Sequence, residues 1–168
     1  MKHKKIMLIG CGGSGKSTLA IQIGKKLDIP VTHLDKLFWR DNWEQVSIEE
    51  FDFLLSEEFK KESWIIDGNY NRTIPMRFEE CDTVIYLDFS RITCLIGAIR
   101  RVILNYGKTR PDMGGNCPEH FDAEFLKWIW NFNKKNRLNY INMLNNSKNK
   151  NIYILHRRKE CKEFLSRF

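Results

Sequence analysis

IMLIGCGGSGKST, residues 6 to 18, satisfies two glycine fingerprints at once. Gly10-x-Gly12-x-x-Gly15 is the turn that brings backbone N–H groups against a dinucleotide pyrophosphate, whereas Gly10-x-x-x-x-Gly15-Lys16-Ser17 is the turn that wraps the phosphates of a nucleoside triphosphate. The first reading gains some support from Asp35, which stands 20 residues beyond Gly15, where a ribose-binding carboxylate belongs. Lys16 and Ser17 decide for the second. A lysine that reaches the β and γ oxygens, followed by a hydroxyl that binds Mg2+, has no use in a dinucleotide turn. Gly10, Gly12, Gly13, Ser14, Gly15, Lys16, Ser17 and Thr18 are therefore expected to form the phosphate cradle.

Outward from this loop, apolar runs alternate with helical patterns. Ile6 to Ile9 reads as a buried strand, and Leu19, Ala20, Ile23, Gly24 and Leu27 recur at helical spacing until Asp28-Ile29-Pro30 closes the helix. Further strands are expected at Val31 to Leu34, Trp64 to Ile66, Thr83 to Leu87 and Ile152 to Leu155. Between them, Ser47-x-x-Glu50 forms a capping box, and Ser90 caps a helix whose apolar face is Ile92, Leu95, Ile96, Ile99, Ile103 and Tyr106. A long aromatic helix from about Asp122 is expected to face inward with Phe125, Trp128, Ile129 and Phe132. Strands separated by helices imply an α/β fold with a parallel sheet.

In such sheets ligands bind at the carboxyl ends of the strands, and three of those ends carry acids, Asp35, Asp67 and Asp88. Asp67 is the stronger Mg2+ candidate, because Gly68-Asn69-Tyr70-Asn71-Arg72 continues it as a polar loop with an anion-gripping arginine. Asp35 is a candidate general base or metal-shell ligand, and Leu37-Phe38-Trp39-Arg40 places an aromatic wall and a cation beside it. Gly107 to His120 is too long and too rich in glycine and proline to be a plain connection. It carries Arg110 and follows Arg100 and Arg101. Arg137, on the later helix, is expected to approach from the other side.

Length and composition narrow the class. The 168 residues suit one domain, and the net charge of +7 favours anionic partners without specifying nucleic acid. Cys11, Cys81, Cys94, Cys117 and Cys161 include no C-x-x-C pair, which points to reduced thiols in a cytoplasmic protein. The apolar run after the basic amino terminus is too short for a signal peptide or a membrane span.

With these residues assembled, the chain resembles the adenylate-kinase-like group of P-loop kinases. More narrowly, IGCGGSGKSTLA, IPVTHLDKLFWR, WIIDGNYNRT, DTVIYLDFSR, KTRPDMGGNCPEHFD and IYILHRRKECKEFL are similar to segments of the bacterial topology modulation proteins. The resemblance implies a three-layer α/β/α P-loop NTPase fold, a five-stranded parallel sheet in the order 2-3-1-4-5, an acceptor region at about 36–62 and a small lid at about 100–122. It implies ATP and Mg2+, with Lys16 and Ser17 in P-loop roles, Asp67 in the Mg2+ shell, Arg72 on the acceptor anion, and Arg100, Arg101 and Arg137 on the lid side. Asp35, Arg40, Gly68, Asn69, Tyr70, Arg72 and Arg110 are the expected acceptor-binding set. Asn69-Tyr70 stands where an adenylate kinase has Phe-Pro, and the lid lacks the four-cysteine zinc cluster of some of those enzymes. AMP therefore competes with other hydroxylated or phosphorylated metabolites as acceptor.

The expected function is phosphoryl transfer from ATP to a nucleotide or another small metabolite. Two alternatives remain, a nucleotide-dependent DNA-binding or topology-modulating protein, and a slow ATPase switch. Against the first, Lys4, Lys25, Lys61, Lys134, Lys148 and Arg157 are spread over many segments and form no stripe.

Overall fold

The structure is a computed structural model that describes residues 3–167. Five parallel strands form one sheet, β1 (Lys5–Gly10), β2 (Val31–His33), β3 (Trp64–Asp67), β4 (Thr83–Leu87) and β5 (Asn151–Leu155). Their order is β2-β3-β1-β4-β5, as expected. Strands β1 and β4 are covered on both faces, which is why they read as unbroken apolar runs. The register sets Leu8 level with Asp67 and Ile85, and His33 level with Asp67, so the ends that bear polar residues converge at one edge.

Among the described residues seven α-helices connect and cover the strands: α1 (Lys16–Leu27), α2 (Leu34–Phe38), α3 (Ile48–Phe59), α4 (Ile74–Glu80), α5 (Arg91–Asn105), α6 (Ala123–Asn145) and α7 (Arg158–Leu165). With the strand order β2-β3-β1-β4-β5, the right-handed rule for parallel crossovers assigns α1 to one face of the sheet, where α7 touches it, and α3, α4 and α6 to the other. Helix α1 lies close to the sheet because Gly24 has no side chain; a Cβ there would fall 2.5 Å from Val31 Cγ2. Asp28, at φ +55°, ends α1 in the left-handed conformation. Ser47, Ser90 and Asp122 cap α3, α5 and α6 by accepting from the N–H three residues on, at 3.0, 3.2 and 2.9 Å. The Glu50 carboxylate does not complete a capping box, because Arg40 holds it.

Two elements depart from expectation. Strand β2 stops at His33, and Leu34 begins a helix, so Asp35 lies in the first turn of α2 and not at a strand end. A carboxylate is favourable there, since the first-turn N–H groups carry the positive end of the helix dipole. The second departure is α5, which is turned about its axis relative to its apolar stripe. Its buried residues are the small Cys94 and Ala98, and Gly97 lies so close to the P-loop that a Cβ would collide with the Gly13 carbonyl oxygen. Ile92, Ile96, Ile99, Ile103 and Tyr106 are instead 43 to 72% exposed. Small residues let the helix backbone reach the P-loop, and isoleucines on that side would have held it away. In α6, Ile129 and Phe132 are buried as expected, whereas Trp128 is 39% exposed at the edge of a cleft. Among the described residues no helix is long and apolar enough to cross a membrane.

Candidate active site

A cleft of about 1210 Å³ runs along the carboxyl ends of the strands, floored by the P-loop and bounded by α2, α5, the 107–120 loop and the start of α6. At its floor β1 ends in Gly10, at φ +145°, where a Cβ would come within 2.7 Å of the Leu87 carbonyl oxygen. Glycine is required there by both backbone angle and space. Gly15, at φ +94°, leads into α1 with no side-chain cap, which leaves first-turn N–H groups for an anion. Lys16 folds back so that Nζ donates to the Cys11 carbonyl at 3.0 Å, and Ser17 and Thr18 line the cleft beside it. Phe125 and Trp128, stacked at 14° between ring planes, roof Gly12. Gly10 and Ser14 are not among the lining residues. Ser14 is buried, and its hydroxyl has no hydrogen-bond partner among the described residues.

Two carboxylates face this floor. Asp67 Oδ2 lies 2.9 Å from His33 Nδ1, while Oδ1 is buried without a hydrogen-bond partner. An orphaned anionic oxygen next to a phosphate cradle fits Mg2+, which takes one or two carboxylates together with substrate phosphate oxygens. The described residues contain no group of three or more acids, histidines and cysteines placed to hold a metal. Asp35 accepts from the Tyr70 hydroxyl at 2.7 Å. Burial pushes its carboxyl above the usual range, the Tyr70 bond pulls it down, and the Asp67 charge pushes it up again.

Beyond Asp35 the cleft becomes aromatic. Trp39 and Trp43 meet edge to face at 5.5 Å, and Trp43 meets His120 at 5.4 Å. Asn42 and Trp43 both have positive φ, 56° and 63°, a strained pair that carries the Trp43 ring into the cleft wall. The 107–120 loop is latched onto this segment. Asn42 N–H donates to the Asn116 carbonyl at 3.0 Å, Asn116 N–H to Asp41 Oδ1 at 2.6 Å, and Cys117 Sγ to the Arg40 carbonyl at 3.0 Å.

On the lid side Glu119, 3% exposed, holds two guanidinium groups. Arg110 Nε is 3.0 Å and Arg101 Nε 3.2 Å from its carboxylate, and Arg110 also reaches Asp112 at 2.6 Å. Burial lowers the Arg101 pKa, Arg110 adds to this, and Glu119 opposes it. Arg100 lines the same wall.

Of the expected set, Asp35, Asp67, Gly68, Asn69, Tyr70, Arg100, Arg101 and Arg110 border the cleft together with Gly12, Gly13, Gly15, Lys16, Ser17 and Thr18, and three arginines do not. Arg40 is held by Glu50 at the surface. Arg72 makes a two-pronged pair with Asp52, at 2.8 and 2.6 Å, on the outer side of α3. Arg137 grips Asp88 at 2.9 and 3.0 Å, beside Tyr86 and His156 and outside the cleft lining. In each case a nearby carboxylate takes the guanidinium.

Several residues at the site carry no local sequence signal. His33 reaches Asp67 only because β2 and β3 pair in register. Arg77 is fully buried and shapes the loop after β3 by donating to the carbonyls of Gly68, at 2.8 Å, and of Asn69 and Tyr70. Desolvation brings its pKa down to about 10. Asn69 Oδ1 accepts from Gly10 N–H at 3.1 Å, which ties that loop to the P-loop. Glu119 and Arg158 also border the cleft.

No protein-family profile matches this sequence, and no curated protein matches it. Solved structures do match in fold. Shikimate kinase from Bacteroides thetaiotaomicron superposes with a TM-score of 0.56 at 17% identity, covering 96% of this chain and 94% of its own. A deoxyadenosine kinase from M. mycoides, with dCMP and dCDP bound, superposes with a TM-score of 0.53 at 18% identity, covering 96% of each chain. With the sheet order and the helices on both faces, the chain has the three-layer α/β/α fold of P-loop kinases.

Proposed function

We propose that this protein transfers the γ-phosphoryl group of ATP to a small-molecule acceptor. One observation carries the reading: a P-loop with its lysine and hydroxyl opens into the same cleft as the Asp35 and Asp67 carboxylates and an aromatic recess. A nucleotide-gated switch needs the first of these and has no use for the recess.

In this reading Lys16 and the N–H groups at the start of α1 hold the β- and γ-phosphates. Asp67 Oδ1 and the Ser17 hydroxyl would hold Mg2+, which supplies charge neutralisation on the transferred group. Asp35 orients the acceptor oxygen and takes its proton, helped by a raised pKa that makes it a better base than a free aspartate. Arg101 and Arg110, with Arg100, stabilise charge as it develops, and Glu119 keeps the first two in place. Trp39, Trp43, His120 and Tyr70 receive the body of the acceptor. Residues 36–62 thus act as the acceptor region and 100–122 as the lid.

The test is ADP release by purified protein with Mg·ATP against nucleosides, nucleoside monophosphates, sugar acids and other hydroxylated metabolites. One acceptor raising ADP release well above hydrolysis, and Lys16→Ala abolishing the rise without unfolding the protein, is the expected outcome. Turnover unchanged in Lys16→Ala overturns the proposal.

A further inference from the structure

The lid side of the cleft is basic in sequence and neutral in structure. Each of the three guanidinium nitrogens of Arg110 has a partner: Nε donates to Glu119 at 3.0 Å, one Nη to Asp112 at 2.6 Å, and the other Nη lies 3.0 Å from Met113 Sδ. Arg101 reaches the same Glu119 from α5 at 3.2 Å. Asp112, Arg110, Glu119 and Arg101 therefore form an alternating row of acids and bases with no net charge. The Arg110, Asp112 and Glu119 side chains are 12, 13 and 3% exposed, so these pairs are desolvated. An anion that took Arg110 from Asp112 would strand a buried carboxylate. The turn that carries Arg110 and Asp112 sits at the acceptor end of the cleft. Gly114 N–H donates to the Asp35 carbonyl at 3.3 Å, and a Cβ on Gly114 would lie 2.2 Å from the Trp39 carbonyl oxygen, so residues 110–114 rest on α2.

We propose that the recess selects an uncharged acceptor, a hydroxyl compound with an apolar or aromatic face such as a nucleoside or a neutral sugar, and rejects the corresponding phosphate or carboxylate. The proposal rests on the phosphoryl-transfer reading for what happens to the bound molecule. A fixed anion needs a counter-charge, and the guanidinium groups at this end already have theirs. Asp35 adds a carboxylate to the same space, which repels a second anion. Arg40 and Arg72 are held at the surface by Glu50 and Asp52. Other cations that border the cleft lie nearer the phosphates: Lys16 on the P-loop, and Arg158 with an Nη 3.1 Å from the Cβ position of Gly97, where α5 meets Gly13. Lys36 is exposed on α2, where water and salt screen its ammonium. An uncharged hydroxyl meets none of this opposition. It can donate to Asp35 and accept from Arg110, whose nitrogens carry more N–H groups than it has partners, while Trp39, Trp43 and His120 cover the body of the molecule.

The experiment is isothermal titration of the full chain, loaded with Mg2+ and a non-hydrolysable ATP analogue, against matched pairs that differ by a charged group: adenosine and AMP, cytidine and CMP, glucose and gluconate. The expected result is that in at least one pair the uncharged member binds about tenfold tighter or more, and the pair that shows it tells which scaffold the recess takes. Asp112→Asn keeps the shape and an acceptor for Arg110 but leaves the row with a net positive charge. It should narrow that preference by about tenfold with little change in Tm. Tighter binding of the charged member by wild type overturns the proposal, as does binding of neither member of any pair. A preference that a folded Asp112→Asn leaves unmoved also overturns it, and the wild-type ratio is a test by itself should the variant melt early. The two readings fail separately. An uncharged ligand that binds but is never phosphorylated by Mg·ATP supports the uncharged recess and counts against phosphoryl transfer, whereas turnover of AMP or gluconate in preference to its uncharged partner overturns the recess proposal and leaves phosphoryl transfer standing.

Discussion

The Tyr70 hydroxyl donates to Asp35 across 2.7 Å and so joins the loop after β3 to the first turn of α2. It is also the contact that works against burial to keep the Asp35 carboxyl ionisable. Removing it leaves only the charges of Arg110 and Lys16 to oppose the burial penalty and the nearby charge of Asp67. Tyr70→Phe is therefore expected to shift the acid limb of the kcat/KM profile to higher pH, because the base is lost as pH falls through a pKa that now lies higher. A pH-rate profile of the variant beside wild type reads the shift. An unmoved limb would detach Asp35 from proton transfer.

Asp35 also carries a cost in stability. A carboxyl whose folded pKa exceeds its unfolded value binds its proton more tightly when folded. Its stabilisation is complete below the unfolded pKa and lost as pH rises through the folded one. At neutral pH the ionised group opposes folding, so Asp35→Asn is expected to gain about 1 kcal/mol, or roughly 2–4 °C in Tm for a domain of this size. The same change should lower turnover by about 10²- to 10⁴-fold. Differential scanning fluorimetry at pH 7 and pH 4 tests the first part, since the gain should shrink in acid.

Arg77 makes the opposite case. Its buried guanidinium donates to three loop carbonyls, so Arg77→Met removes this donor from those of Gly68 and Asn69 in a dry environment, while the Tyr70 carbonyl still accepts from Thr73. A loss of about 3 kcal/mol is expected, which corresponds to a Tm lower by roughly 6–12 °C. Chemical denaturation of the variant measures it directly.

The arginines at the cleft and outside it should separate cleanly. Arg72→Ala breaks only an exposed pair and should change stability by less than about 1 kcal/mol and leave turnover nearly intact. Arg101→Ala, on the cleft wall, should cost about 10²- to 10³-fold in kcat. Steady-state kinetics on the two variants, once an acceptor is identified, decides between a lid-side and a loop-side anion site.

Gly97→Ala adds one methyl group where α5 meets the Gly13 carbonyl, and neither backbone has room to give. The P-loop would be displaced, and ATP affinity is expected to fall by about tenfold or more, while a helix interior otherwise prefers alanine to glycine. Isothermal titration with a non-hydrolysable ATP analogue tests this without requiring an acceptor.

What the sequence revealed and what it hid follow the range of the interactions involved. The P-loop was legible because cradle, lysine, hydroxyl and helix start lie within nine residues, Gly10 to Thr18. Asp67 was legible as the end of an apolar run. The partners of Arg40, Arg72 and Arg137 were not, since Glu50, Asp52 and Asp88 reach them only once α3, α4 and α6 have packed. His33 and Glu119 were missed for the same reason. Helix α5 differs in kind. Periodicity showed that one face was apolar, but which face meets the domain was set by Gly97 and Ala98, whose smallness allows contact with the P-loop. Hydrophobicity located the stripe, and steric access oriented the helix.

The bonds between residues 40–42 and 116–117 bear on how the cleft could open. Because the 107–120 loop is stitched to the segment that carries Trp39 and Trp43, the aromatic recess and Arg110 are tied together, whereas Arg100 and Arg101 stand on α5 against the P-loop. The Asn69 bond to Gly10 fixes the opposite side of the cleft to the sheet. An acceptor that enters without breaking these bonds would therefore displace the aromatic segment and Arg110 together, and its release would be coupled to the position of Arg110 and not to that of Arg100 and Arg101.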